Sequence, residues 1–136
     1  MSDVSVQLRW TGDGLRFDGE TPRGHTLRID SGRETGPSPM EALLFALAGC
    51  TAIDIVDIAQ KMRVAITGLD VEIEGDRVPE PPRRYTRIQV VYRAHGVAPA
   101  DHDKMRRAMA LSEEKYCSVR HSLRADIELT SRIELG

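Results

Sequence analysis

One long apolar segment, from Pro39 to about Met62, places the strongest constraint on how this chain can fold. Ser38, Pro39 and Glu41 form a capping box with proline at the first helical position, so the segment begins as an α-helix. The first half of this helix, Ala42–Ala48, is apolar on every side. This composition predicts that the first half is buried all round.

Polar residues and charge exclude several classes of protein. Thr51, Asp54 and Asp57 interrupt the apolar run, and because a spanning helix needs about 20 predominantly apolar residues, we expect no membrane span. A net charge of -2 excludes the basic excess of a nucleic-acid binder. Met1–Trp10 lacks the basic start and apolar run of a secretory signal, so we expect a cytoplasmic protein. A length of 136 residues predicts a single domain over residues 1–136.

Alternating apolar and polar residues predict strands on both sides of the long helix. The predicted order is β-β-β-α-β-β-α-α-β, an α+β fold with an N-terminal antiparallel meander, a long buried central helix, a second sheet segment and short helices. The predicted strands cover residues 4–10, 15–17, 26–30, 69–74, 86–94 and 125–135, and the short helices cover 100–111 and 112–123.

Two cysteines, Cys50 and Cys117, are the candidate functional residues, and they lie 67 positions apart. In a reducing cytosol such a pair is rarely a permanent disulfide. Two interpretations are open: both thiols are small buried hydrophobic groups, or they form a reactive pair.

The surroundings of Cys50 favour the second interpretation. Cys50 begins a polar stripe on the long helix that continues through Asp54, Asp57 and Lys61. Gly49 costs about 1 kcal/mol relative to alanine in a helix interior, which indicates close approach by another backbone or a ligand. Because Asp54 would raise the thiol pKa, a reactive Cys50 needs a cation from another segment or subunit.

Cys117 is predicted near the start of a short helix, where the helix dipole favours a thiolate. His121 and Arg124 fall on the same helical face. These features predict that Cys117 is the better-activated thiol. The alternative is that His121 and Arg124 are solvated charges on an amphipathic helix.

The two cysteine segments resemble those of the OsmC/Ohr family, the osmotically inducible and organic hydroperoxide resistance proteins, and within it the YhfA-like branch. Residues 37–50 read Pro-Ser-Pro-Met-Glu-Ala-Leu-Leu-Phe-Ala-Leu-Ala-Gly-Cys and continue with Thr-Ala-Ile-Asp, like the first-cysteine helix of that family. Residues 114–119, Glu-Lys-Tyr-Cys-Ser-Val, look like the second-cysteine segment. The order of strands and helices agrees over almost the whole chain.

This resemblance implies an intertwined homodimer with two active sites at the subunit interface. It implies a peroxiredoxin-like thiol peroxidase that reduces organic hydroperoxides in oxidative-stress defence. Cys50 would attack the peroxide and become a sulfenic acid, Cys117 would resolve it to a disulfide, and a dithiol reductant would reopen the disulfide. No cofactor and no metal are implied.

The resemblance also indicates residues that would surround Cys50. Peroxidase members carry glutamate ten positions before the first cysteine, where this chain has Met40, with Glu41 one position later. Ten residues place side chains about 80° apart on a helix and nine place them about 180° apart, so Glu41 fits better as the capping-box acid. Those members use an arginine from the N-terminal strands, a role that Arg16 or Arg23 could fill here.

The remaining expectations concern the pocket and the alternative functions. The expected pocket-lining residues are His25, Met40 and Asp54. The alternative function is a non-catalytic or weakly active OsmC-like protein that senses redox state or binds a small apolar molecule. A zinc site is disfavoured because the four histidines are scattered and no Cys-x-x-Cys spacing exists.

Overall fold

The computed structural model describes residues 2–136 and contains, over that range, six β-strands and three α-helices. They are β1 Gln7–Trp10, β2 Arg16–Glu20, β3 Thr26–Asp30, α1 Pro39–Lys61, β4 Gly68–Arg77, β5 Tyr85–His95, α2 His102–Leu111, α3 Ser118–Ser122 and β6 Glu128–Leu135. This order confirms the predicted α+β arrangement. The chain divides into two compact units, one ending at Leu43 and the other running from Leu44 to Gly136.

The first unit contains an antiparallel sheet in the order β1-β2-β3. The register places Leu8 opposite Gly19 and Gly19 opposite Leu27, so these residues share one face, which is apolar. The other face is charged and includes an ion pair between Arg28 and Asp18. Apolar side chains on the first face are more than half exposed, at 56% for both Leu8 and Leu27. This sheet therefore leaves an apolar face uncovered in the single chain.

The loop that follows β3 is organised by Asp30, which is almost completely buried. Its carboxylate accepts hydrogen bonds from the main-chain N–H groups of Gly32 and Thr35, both at 2.9 Å, and from the Thr35 hydroxyl. Arg16 donates a further bond through Nε at 3.2 Å. These donors, with the Thr35 N–H the strongest, hold the pKa of Asp30 well below its ordinary value.

The capping box at the start of α1 is confirmed. The Glu41 N–H donates to Ser38 Oγ at 3.2 Å, and Glu41 Oε1 accepts from the Ser38 N–H at 3.0 Å. The two side chains thus satisfy main-chain N–H groups that the first helical turn leaves unpaired.

The prediction that the first half of α1 is buried all round is wrong. The buried residues of α1 form one stripe at four-residue spacing: Leu47, Thr51, Ile55 and Ala59. Phe45 and Ile53 are each 70% exposed. The second unit covers only the side of the helix that carries the stripe, and the apolar composition alone cannot say which sides are covered.

By length and composition, α1 is the one helix of the described chain that could cross a membrane. Core helices of soluble proteins meet the same two criteria. A buried stripe that includes Thr51, and an Asp54 carboxylate hydrogen-bonded to Ser112, are features of a helix that packs within a protein.

The second unit is built on a sheet in the order β4-β5-β6. β4 and β5 form an antiparallel hairpin, and β6 pairs with β5 in parallel. The central strand β5 supplies most of the buried side chains of the sheet, including Ile88, Val90 and Tyr92. Met105 and Ala108 of α2 are also fully buried.

The helix predicted over residues 112–123 is interrupted, which corrects its boundaries. Ser112–Tyr116 forms a π-helical turn that continues directly from α2. Cys117 then takes an extended conformation, with φ -71° and ψ 103°, and α3 begins at Ser118. The break gives Cys117 the N-cap position of α3, and π-helical turns are frequent at functional sites.

Candidate functional site

The structure brings Cys50 and Cys117 together within the second unit. Cys50 lies on α1 and is half-buried, whereas Cys117 lies between the π-helical turn and α3 and is completely buried. The Cys50 thiol lies near enough to Cys117 to raise the pKa of that thiol, and both thiols are free. Two sulfur atoms in this arrangement can exchange between a dithiol and a disulfide.

The environment of Cys117 corrects the prediction that it is the better-activated thiol. As the N-cap residue of α3, its Sγ accepts a hydrogen bond from the Arg120 N–H at 3.4 Å, which favours the thiolate. Burial has the larger, opposite effect, and the neighbouring Cys50 and Asp54 add to it, so the pKa of Cys117 rises to about 11. At neutral pH this thiol is therefore protonated.

His121 and Arg124, expected beside the Cys117 thiol, are occupied elsewhere. The His121 ring nitrogens lie 2.9 Å from the Cys117 carbonyl oxygen and 3.1 Å from that of Glu114. Arg124 forms a two-pronged ion pair with Asp126, with its shorter contact at 2.7 Å. His121 therefore fixes the main chain around Cys117, and Arg124 supplies no charge to the sulfur.

Asp54, predicted to line the pocket, lies beside the thiol pair. It follows Cys50 by one helical turn on the same side of α1, and its charge contributes to the raised pKa of Cys117. Its Oδ2 accepts a 2.9 Å hydrogen bond from the hydroxyl of Ser112, which is completely buried. The Ser112 carbonyl oxygen also accepts from the Cys117 N–H at 2.8 Å. Ser112 thus connects α1 to the segment that carries Cys117.

A second group of polar side chains, which the sequence patterns did not identify, lies behind Cys117. Glu113 accepts a hydrogen bond from Ser131 Oγ at 2.8 Å and ion-pairs with Arg120 at 3.7 Å. The nearby Tyr92 is completely buried, and burial raises the pKa of its hydroxyl. The pattern Ser112-Glu113-Glu114 after an apolar helix was the signal for these residues, since polar residues there interrupt a buried face.

Gly49 has open space around it within the described chain. A Cβ atom built at Gly49 would meet no atom within 4 Å, apart from the adjoining residues and the nearby backbone of α1 itself. The close approach predicted at this glycine is therefore not made by the described residues of the second unit.

The first unit holds the other residues expected near the site. Arg16, an expected activator, contacts three carboxylates: Asp13 at 2.9 Å, Glu34 at 3.0 Å and Asp30 at 3.2 Å. Glu41 is engaged in the capping box with Ser38.

The remaining three expected residues also lie in the first unit. Arg23 is exposed in the turn between β2 and β3, and Met40 is half-buried in the first turn of α1. His25 lines an apolar pocket of about 160 Å³ on the β1-β2-β3 sheet, beside Val6, Leu8 and Leu27. The expected roles of these residues toward Cys50 stay predictions.

Comparisons with known proteins agree with this fold. The family model described as OsmC-like protein matches residues 32–132, which include parts of both units. Protein YhfA of Escherichia coli strain K12 is 36% identical over 133 residues, which cover 97% of this chain and 98% of YhfA.

Two solved structures illustrate the shared fold. An OsmC-like protein from Mycoplasma pneumoniae superposes with a TM-score of 0.84 at 15% identity, covering 98% of this chain and 97% of the other. The organic hydroperoxide resistance protein OhrB of Bacillus subtilis superposes with a TM-score of 0.67 at 13% identity, covering 98% of each chain. At these identities the likeness concerns the fold alone.

Proposed function

This chain belongs to the OsmC-like protein family, and we propose that it is a cysteine-based thiol peroxidase that reduces organic hydroperoxides. The observation that carries the proposal is the proximity of a half-buried thiol, Cys50, to a completely buried one, Cys117. The accessible thiol can meet a peroxide, and the buried thiol is kept beside it.

The first step of the proposed reaction takes place at Cys50. Its thiolate attacks one oxygen of the hydroperoxide, the O–O bond breaks, and the departing alkoxide takes a proton to become an alcohol. Cys50 becomes a sulfenic acid. The raised pKa of Cys117, about 11, keeps that thiol protonated and out of this step.

The second step uses the proximity of the two thiols. Cys117 attacks the Cys50 sulfenic sulfur, water leaves, and a Cys50–Cys117 disulfide forms. A dithiol reductant of the cell then restores both thiols. Because the two thiols are neighbours in the second unit, the resolving thiol is at hand when Cys50 is oxidised, which favours reversible cycling over further oxidation of Cys50.

The test is consumption of cumene hydroperoxide or a fatty-acid hydroperoxide in the presence of a dithiol reductant. We expect turnover by the wild-type protein and none by Cys50→Ser. In buffer without any added thiol, Cys117→Ser should consume about one equivalent of peroxide and then stop, since its sulfenic acid has no partner. Wild-type consumption no faster than Cys50→Ser would reject the proposal.

A second candidate function is a redox sensor or small-molecule binder of the same fold with little or no turnover. The observation that favours it is the engagement of the expected activators, with Arg16 held by three carboxylates and Glu41 by Ser38. Mass spectrometry after mild peroxide treatment distinguishes the two. A disulfide that forms stoichiometrically without sustained turnover supports the sensor, and sustained turnover supports the peroxidase.

We also propose that the protein is an intertwined homodimer. Apolar side chains are exposed on the first-unit sheet, including Trp10 at 57%, and on α1, where Phe45 and Ile53 are exposed. Such apolar areas are rarely left in contact with water, and a second copy offers the same areas in return. Light scattering should give twice the mass of one 15.1 kDa chain, and a monomer mass would contradict the dimer.

A cytoplasmic location follows from the proposed chemistry. Two free thiols that act by cycling need a compartment that supplies dithiol reductants, and the cytosol does so. Fractionation of cells that express the tagged protein should recover it with soluble cytosolic markers, and recovery with membranes or the secreted fraction would contradict this location.

A further inference from the structure

We propose that Asp54 accepts the proton of the Cys117 thiol as the Cys50–Cys117 disulfide closes. This inference rests on the proposed function for its biological setting, but the closure step that it describes can be measured without a peroxide. The role assigned to Asp54 concerns Cys117, and it is separate from the activation of Cys50 that was expected from an arginine and a glutamate.

The need for a proton acceptor follows from the burial of Cys117. Only the thiolate attacks a disulfide or sulfenic sulfur at a useful rate, and a thiol with a pKa of about 11 is almost entirely protonated at neutral pH. A group that removes the proton during the attack overcomes this obstacle, and general-base assistance typically contributes about 10²- to 10⁴-fold.

The position of Asp54 suits this role. It lies one helical turn from Cys50 on the same side of α1, and its charge acts on Cys117. Ser112 Oγ holds Oδ2 at 2.9 Å. Within the described chain Oδ1 has no hydrogen-bond donor, so this oxygen is available to take a proton.

Ser112 determines how the carboxylate is placed relative to Cys117. Its hydroxyl donates to Asp54, and its carbonyl oxygen accepts from the Cys117 N–H at 2.8 Å. Ser112 is completely buried, whereas Asp54 is half-buried. Glu113, the other nearby carboxylate, is held through Oε2 by Ser131 and Arg120, and its buried Oε1 has no hydrogen-bond partner in the described chain. Glu113 does not share the connection through the Ser112 hydroxyl.

In the closure step, Asp54 Oδ1 takes the proton from Cys117. The Cys117 thiolate then attacks the Cys50 sulfenic sulfur and forms the S–S bond. The S–O bond of the sulfenic acid breaks, and the departing hydroxide takes the proton from Asp54 to become water. Cys50–SOH and Cys117–SH are thus converted to a disulfide and one molecule of water, and Asp54 is regenerated.

The test measures closure with dithiobis(nitrobenzoate), an aromatic disulfide. The reagent forms a mixed disulfide with the accessible Cys50 and releases one coloured thionitrobenzoate. Cys117 then displaces a second one, so the second phase of colour release reports the closure rate. Cys117→Ser should lack that phase.

Asp54→Asn separates the two effects that the carboxylate has on Cys117. The amide oxygen of asparagine can still accept from Ser112, so the connection is kept while the proton acceptor is lost. If Asp54 acted only through its charge, its removal would favour the thiolate and speed closure. We expect instead that closure slows by about 100-fold. An unchanged or faster closure in Asp54→Asn would overturn the proposal.

Two further variants complete the comparison. Asp57→Asn alters an exposed acid of the same helix that pairs with Lys61, and its closure rate should equal that of the wild type. Ser112→Ala removes the connection but keeps the carboxylate, so it should slow closure less than Asp54→Asn does. Equal slowing in Ser112→Ala and Asp54→Asn would make Asp54 a positioning residue only and would overturn the proposal.

The pH dependence of the wild-type closure gives a readout that needs no variant. Without a proton acceptor, closure would follow the thiolate fraction and rise about tenfold per pH unit up to the pKa of Cys117. With Asp54 as acceptor, the wild-type rate is nearly constant between about pH 7 and pH 9, a range that lies below the Cys117 pKa of about 11. A tenfold rise per unit would overturn the proposal. Asp54-dependent closure without peroxide turnover would reject only the peroxidase function.

Discussion

Cys50 lies near enough to Cys117 to raise the pKa of its thiol, yet Cys50 is half-buried and Cys117 has no exposed surface. This difference in burial means that molecules in solution do not reach the two thiols equally. Reagents from solution reach Cys50 first, while Cys117 reacts through Cys50. The pair therefore has a defined order of reaction that neither local sequence predicts.

The first prediction concerns selective alkylation. Brief treatment of the reduced protein with iodoacetamide at pH 8 should modify Cys50 and leave Cys117 unmodified, because alkylation needs an accessible thiolate. Peptide mapping by mass spectrometry checks this, and the same treatment in denaturant should modify both cysteines. Modification of Cys117 in the folded protein as fast as that of Cys50 would contradict the assigned order.

The second prediction concerns stability at high pH. The folded-state pKa of Cys117 is about 11, above the value of about 8.5 in an unfolded chain. The folded state therefore holds its proton more tightly, so the stabilisation is complete below about pH 8.5 and is lost as pH rises toward 11. We expect a loss on the order of 2 kcal/mol in the free energy of unfolding.

Denaturant titrations at pH 8 and pH 10.5 check this second prediction. Cys117→Ala is the control, because it removes the titrating group and should lose less stability over the same interval. The burial of Tyr92, which also raises its pKa, contributes in the same direction only above about pH 10. An equal loss in wild type and Cys117→Ala would show that Cys117 is not the cause.

The third prediction concerns the Asp30 carboxylate. Its pKa is held far below the ordinary value, so its stabilisation is present above about pH 3.9, the value in an unfolded chain, and is lost as pH falls below that. Asp30→Asn should lower the melting temperature by several degrees at pH 7 and should flatten the dependence of stability on acid pH. Thermal melts at pH 7 and pH 3 measure both effects.

Two outcomes would contradict the third prediction. One is a melting temperature of Asp30→Asn equal to that of the wild type at pH 7, and the other is an unchanged acid dependence. Asp13→Asn is the matched control, because the Asp13 side chain is 79% exposed and contacts only Arg16. It should behave like the wild type, since exposed ion pairs contribute little.

Local sequence patterns were sufficient to predict the strands and helices, but not the arrangement of residues around the two cysteines. β3 was predicted at its observed bounds, and the capping box located the start of α1, because both depend on neighbours within a few residues. The break at Cys117 was not predicted, because no glycine or proline between residues 112 and 123 marks it. The bond between Asp54 and Ser112 joins residues 58 positions apart, and no periodicity encodes such a contact. Burial of Cys117 raises its pKa and outweighs the lowering by the N-terminus of α3, and this burial is likewise a tertiary property.

The last prediction concerns the exposed side of α1. Phe45 and Ile53 are each 70% exposed, while the buried stripe of the helix lies on the other side. If a second copy covers these side chains, burying one of them contributes about 1.5–3 kcal/mol to association, and a carboxylate in its place would be desolvated without a partner. Phe45→Glu and Ile53→Glu should therefore shift the protein toward monomer, as measured by sedimentation equilibrium over a range of concentrations.

Thr130→Glu provides the control for this prediction, since it adds the same charge at an exposed position of β6. It should leave the dimer intact. Because the dimer proposal places the active sites at the subunit interface, monomeric Phe45→Glu should also lose peroxide turnover, while its thiols keep their order of alkylation within the chain. A Phe45→Glu protein that stays dimeric at the wild-type concentration dependence would show that α1 is not part of the interface.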